Sequence, residues 1–167
     1  MATREDNSGL CALLELSRCD HHARMGTIVV GIDGSDGSKG ALAWAANEAK
    51  LRECTLRVAY CWQYPIYVTS EPIYMPPPDK DTIIESARVT AQQMVDDADI
   101  PSLAINVIVE TPLGRPGPEL VAMSTDAEML VVGSRGAGSL RELLLGSVSN
   151  YCAHHSHCPV VLVRPVD

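Results

Sequence analysis

Five short apolar runs recur along this chain, and each is separated from the next by a stretch that reads as helix. They are "TIVVGID" (27–33), "TLRVAYCW" (55–62), "AINVIVE" (104–110), "EMLVVGS" (128–134) and "PVVLVRP" (159–165). The runs are rich in valine and isoleucine and nearly continuous in apolar character, which suits strands buried on both faces. Between them lie "SKGALAWAANEAKLRE" (38–53), "TIIESARVTAQQMVDDA" (82–98), "GPELVAMS" (117–124) and "LRELLLGSVSNYCAHHS" (140–156), all read as helices. Asp36 and Ser38 are the N-cap candidates for the first of these. Strands joined through helices require right-handed crossovers, so the chain is expected to form an α/β fold: a five-stranded parallel sheet with helices on both faces.

The length leaves room for one such domain, because 167 residues with 46% hydrophobic and 20% charged side chains make a single ordinary core. The formal net charge of −8 and a pI near 5.0 argue against a broad surface for nucleic acid or anionic lipid. No apolar run approaches the roughly 18 residues of a membrane span. Cys11, Cys19, Cys54, Cys61, Cys152 and Cys158 contain no CxxC pair and fall largely within strand or helix patterns, so they are read as reduced thiols of a cytoplasmic protein. Residues 1–25 carry no strand pattern and are expected to form a mobile N-terminal extension, with Met25 a possible start and 26–167 the folded domain. Cys19, Asp20, His21 and His22 within it are adjacent rather than spaced, which is a poor pattern for structural zinc.

In a doubly wound sheet the ligand site lies beyond the carboxyl ends of the strands, where the strand order reverses. The first strand ends at Asp33 and Gly34, and the fourth runs into "GSRGAGSLRELLLGS" (133–147). This segment lacks the lysine of a Walker P-loop, and Gly133, Gly136 and Gly138 give GxxGxG rather than the dinucleotide fingerprint GxGxxG. Glycines after a strand serve either as turn punctuation or as places where backbone N–H groups approach a phosphate without a Cβ in the way. Ser147 and Ser149 would add hydroxyl donors, and Arg135 and Arg141 positive charge.

The pattern G-x2-G-x9-G-S in this segment resembles the ATP-binding motif of the universal stress protein family. "VVGIDGSDGS", "GRPGPEL" and "HHSHCPVVLVRP" resemble the family's first turn, third strand-to-helix connection and final strand, so the likeness covers about 27–165 in order. The resemblance implies strand order 3-2-1-4-5 and a homodimer through the last strand. It also places Asp33 beside the nucleoside and the Cys61 backbone at adenine. Gly133 and Gly136 follow the ribose and phosphate, and Gly146, Ser147, Val148 and Ser149 wrap the phosphates. ATP is then the expected ligand, with Mg2+ arriving on the nucleotide, in a regulatory module that switches conformation or partners during stress. A slow ATPase or phosphoryl-transfer enzyme, and a nucleotide-free dimeric scaffold, are the alternatives. No catalytic residue is assigned, since no lysine, base or second carboxylate stands near the motif.

Two further stretches receive structural readings. "QYPIYVTSEPIYMPPPDK" (63–80), with five prolines and three tyrosines, is expected to be a long exposed loop, either covering the adenine or independent of it. His154, His155 and His157 with Cys158 end a helix, where histidines suit the negative end of the helix dipole better than a metal site. The apolar last strand, at a sheet edge, would invite a second copy.

Overall fold

The computed structural model describes residues 26–63, 79–136 and 145–165. The N-terminal extension with its Cys-Asp-His-His run, nearly all of the 63–80 stretch and residues 137–144 lie outside the described residues. In chain order the elements are β1 (Thr27–Gly31), α1 (Asp36–Arg52), β2 (Thr55–Ala59), α2 (Lys80–Asp97), β3 (Val107–Glu110), α3 (Pro116–Met123), β4 (Met129–Gly133), α4 (Ser147–His155) and β5 (Val160–Val163). The five strands are parallel and ordered β3-β2-β1-β4-β5, the α/β architecture and order expected.

Alternation along each strand divides the core into two layers. Ile28 and Val30 of β1, Leu56 and Val58 of β2 and Val131 of β4 face α1 and α2, where Ala41, Leu42, Ala45, Ala46, Ala49, Ala91 and Val95 meet them. The alanines keep this face of α1 flat and let the helix lie close over the sheet centre. On the opposite face Val29, Leu130 and Val132 pack with Leu120 of α3 and Cys152 of α4. On this same face of the sheet, Arg57 of β2 holds the edge strand β3 by a two-pronged ion pair, Nε to Glu110 Oε1 at 2.7 Å and Nη2 to Oε2 at 3.3 Å. Its Nη1 reaches Asp126 Oδ1 at 3.2 Å.

Element boundaries differ from the sequence reading for local reasons. The N-cap of α1 is neither Asp36 nor Ser38 but Ser35, whose Oγ accepts the Ser38 N–H at 3.2 Å. Asp79 does the same for α2, accepting the Thr82 N–H at 3.2 Å, so that helix starts before Thr82. β3 begins at Val107 rather than Ala104, because Ala104, at φ 55°, closes the 3₁₀ turn Ile100–Leu103 that precedes it. The fourth helix does not run continuously from Leu140, because Leu145 and Gly146 are non-helical and α4 begins at Ser147. β1 and β2 stop short of Asp33 and Trp62, although Trp62 still makes an isolated parallel bridge to Leu113.

Gly133 brings the end of β4 against the first turn of α1. An added Cβ would stand 2.7 Å from the Gly37 carbonyl carbon and 3.0 Å from the Ser38 nitrogen, both main-chain atoms. Gly40, inside α1, has only Val163 Cγ1 at 3.7 Å. Gly133→Ala is therefore expected to lower stability in urea unfolding by about 1–3 kcal/mol through overpacking. Gly40→Ala is expected to raise it by about 0.5–1 kcal/mol through helix propensity.

Candidate functional site

Where β1 ends, Ile32 makes the last link to β2 by donating its N–H to Ala59 O at 3.0 Å. The chain then turns through Asp33 and through Gly34, whose φ of +84° and open surroundings are glycine conditions. Asp33 Oδ1 accepts both the Ser35 N–H at 3.0 Å and the Ser35 hydroxyl at 2.5 Å. A Cβ at Gly136 would lie 2.5 Å from Asp33 Oδ2, so the glycine lets the loop after β4 come up against this carboxylate.

The loop after β4 is closed at its neck by one carbonyl. Ser134 donates its N–H to Val163 O at 2.7 Å, and its own carbonyl accepts the Gly146 N–H at 2.8 Å and the Ser149 hydroxyl at 2.9 Å. Ser149 Oγ also lies 2.9 Å from Gly146 O, and its oxygen is buried. Its single proton is thus committed to backbone, which corrects the expectation that this hydroxyl is a free donor. What Ser149 presents instead is its main-chain N–H in the first turn of α4, beside those of Ser147 and Val148. N–H groups of a first turn have no acceptor within the helix, and Gly146, as N-cap, supplies no side chain to take them. α1 and α2 differ here, being capped by Ser35 and Asp79.

Backbone direction also matters past the end of β2. Tyr60 donates its N–H to Glu110 O at 2.9 Å and Trp62 to Pro112 O at 3.1 Å, both toward β3. Alternation then turns the Cys61 N–H and carbonyl to the β1 side, where the ladder has ended.

These ends enclose a cavity of about 390 Å³ at the carboxyl edge of the sheet. All nine residues singled out as nucleotide contacts, Asp33, Cys61, Gly133, Arg135, Gly136, Gly146, Ser147, Val148 and Ser149, lie along its wall. So do Ser38, Tyr60 and Pro116, which the sequence reading did not select. Pro116 opens α3 within the "GRPGPEL" connection, which had been noticed but not joined to the site. Asp33 and Arg135 are the charged side chains among the described lining residues, and no lysine is among them. The wall therefore offers main-chain donors at one end, an outward-turned peptide at the other and one carboxylate between.

The histidines at the end of α4 bond to their own helix. His154 Nδ1 lies 2.8 Å from Asn150 O, and His155 Nδ1 lies 2.9 Å from Tyr151 O. His155 stacks on the Tyr151 ring with centroids 4.2 Å apart. Among the described residues, no three His, Cys, Asp or Glu side chains gather as a metal site, and no helix is long and apolar enough to cross a membrane.

Residues 25–164 match the family model of the Universal stress protein family. The chain is 33% identical over 140 residues to universal stress protein Rv2624c of Mycobacterium tuberculosis, covering 84% of this chain and 48% of that protein. It thus spans about half the length of the curated relatives it matches. The universal stress protein UspA from Lactobacillus plantarum superposes with a TM-score of 0.64 at 23% identity, over 85% of this chain and 99% of that one. A universal stress protein solved in complex with cAMP gives a TM-score of 0.60 at 26% identity, over 85% and 98%.

Cys61 and Cys152 belong to the packing beneath the cavity, and burial sets their chemistry. It pushes the Cys61 thiol up to about 12, with the Glu119 carboxylate and Cys152 adding to the rise, and Cys152 up to about 11. An ordinary thiol at 9.0 ionises earlier, so the folded state holds these protons longer than the unfolded chain does. Their contribution to stability is present below about pH 9 and is lost as the pH rises toward the folded values. Native iodoacetamide labelling at pH 7.5, mapped by peptide mass spectrometry, is expected to leave both thiols unmodified while the denatured chain reacts fully.

Proposed function

The chain belongs to the universal stress protein family, and from that premise we propose that it binds ATP with Mg2+ in the cavity at the carboxyl edge of its sheet. Occupancy then switches its conformation or partners in a stress response. The observation that carries this reading is the first turn of α4. Its residues line the cavity and no side chain caps it, and anions are favoured at such a terminus by both the unpaired first-turn donors and the helix dipole. Opposite that end, the Cys61 peptide offers a donor and an acceptor in the pattern that an adenine edge complements. Asp33, at the end of the strand between β2 and β4, is assigned to the sugar. A relative solved with cAMP supports a nucleotide in this family's cavity.

Each residue has a distinct part. Ser147, Val148 and Ser149 bind phosphate oxygens through main-chain N–H, and Gly146 keeps that approach open. Gly133 and Gly136 let the backbone run beside ribose and phosphate, and Arg135 supplies positive charge. Mg2+ neutralises the phosphates when the nucleotide is bound. Asp33 is the one carboxylate in the described wall, and no lysine or second acid is among the described lining residues, which favours binding over turnover. A homodimer through β5 and a cytoplasmic location complete the proposal. β5 is the last strand of the sheet and its valines remain half-buried, a suitable edge for a second copy.

Gly146→Asp separates phosphate binding from folding. The site at φ −72° and ψ 165° accepts any residue, and an added Cβ meets nothing closer than Arg135 Cα at 3.4 Å. The new carboxylate would cap α4 and occupy the donors that the phosphates need. Calorimetric titration with ATP and Mg2+ is expected to show binding by the parent. The variant should have at least about tenfold weaker affinity at an unchanged melting temperature. Equal affinity in the two proteins would overturn the phosphate assignment, and absence of binding by the nucleotide-free parent would overturn the proposal.

A further inference from the structure

We propose that Ser35 is a positioning residue of this site. Its hydroxyl holds the Asp33 carboxylate in the orientation that receives the nucleoside sugar and ties that carboxylate to the start of α1. The inference rests on the nucleotide reading above and adds a residue to it.

Ser35 does three things at once. Its hydroxyl donates to Asp33 Oδ1 at 2.5 Å, its N–H donates to the same oxygen at 3.0 Å, and its Oγ accepts the Ser38 N–H at 3.2 Å. A hydroxyl carries one proton and two lone pairs, so donating to a carboxylate and accepting from a helix N–H are compatible. The short bond is of the charge-assisted kind. Ser38 returns the link by donating its hydroxyl to Ser35 O at 2.9 Å.

Asp33 needs such a restraint. Its side chain is exposed, so packing does not select its rotamer. The two donors fix Oδ1, and Oδ2 lies on the Gly136 side of the cavity wall. The anchor itself is firm, since α1 is fixed to the sheet by Ala41, Leu42 and Ala45, all buried. A carboxylate held this way presents an acceptor edge without the cost of ordering it when ligand arrives. The groups that would donate to it are the ribose hydroxyls, so the orientation should be read out as preference for a ribose over a sugar lacking them.

The test compares ATP with 2′,3′-dideoxy-ATP by calorimetry for the parent, Ser35→Gly, Ser35→Thr, Asp33→Asn and the Ser35→Gly, Asp33→Asn double variant. Glycine is an acceptable N-cap and keeps the main-chain N–H, so Ser35→Gly removes the hydroxyl with little loss of stability, to be checked by thermal unfolding. The parent should prefer ATP. Ser35→Gly should lose about tenfold in ATP affinity with dideoxy-ATP affinity unchanged, and Ser35→Thr should keep the parent's preference. In the Asp33→Asn background the serine change should have no further effect, because the hydroxyl acts through that carboxylate. Equal losses for both nucleotides, or an undiminished effect without Asp33, would overturn the inference and leave Ser35 a helix cap alone. A parent that binds both nucleotides equally would overturn it too, while the nucleotide reading stands. A parent that binds neither would overturn that reading and the inference with it.

Discussion

The site depends on the close main-chain contact between the first turn of α1 and the end of β4. Gly133 lies against Gly37, and a Cβ on Gly37 would in turn stand 2.5 Å from the Arg135 carbonyl oxygen. Gly133 is required by the Gly37 peptide, and Gly37 by the Arg135 carbonyl two residues after Gly133. Because side chains are absent from both sides of the contact, the turn after β1 and the loop after β4 share one cavity wall rather than standing apart. The sheet reinforces this, since β1 and β4 are neighbours at the place where the strand order reverses.

Much of what the wall offers is main chain. First-turn N–H groups of α4 and the peptide at Cys61 make up its two ends, and the Ser134 carbonyl holds the loop neck in place. Such a wall is pre-organised by the fold, because peptide groups have no rotamers to lose when a ligand binds. The same packing raises the thiol pKa values in this neighbourhood. Cys61 contributes its backbone while its side chain turns toward the packing with Cys152, where burial keeps both protonated.

The strand runs, the alternation and the glycine spacing were readable in the chain. Continuous valine and isoleucine suit a sheet covered on both sides, and glycine after such a strand leaves few conformational choices. Where each strand stops was less readable, because Asp33 and Tyr60 to Trp62 continue an apolar or β-prone pattern past the point where β1 and β2 pair with each other, while Tyr60 and Trp62 still bond toward the β3 side. The cap of α1 was displaced by one or more residues, as "GSDGS" contains three plausible acceptors and only the turn at Gly34 selects Ser35. The start of α4 was misplaced because "LRELLL" has strong helix formers, whereas the neck bonds to Ser134 stop the helix at Gly146. Ser149 read as a free hydroxyl for a similar reason: its acceptor, the Ser134 carbonyl, is distant in sequence.

The sequence by itself determined that the chain is an α/β protein and that the ends of the first and fourth strands face the carboxyl edge, because periodicity and glycine spacing act over a few residues; Cys61 and Val148 were placed there by resemblance. Strand order 3-2-1-4-5 was implied by resemblance, and pairing across the sheet established it. Only tertiary structure decided which peptide groups face the cavity, which hydroxyls are already committed and which serine holds Asp33. Those outcomes depend on hydrogen bonds and contacts between turns brought together by the sheet, and such pairings have no local signature in the chain.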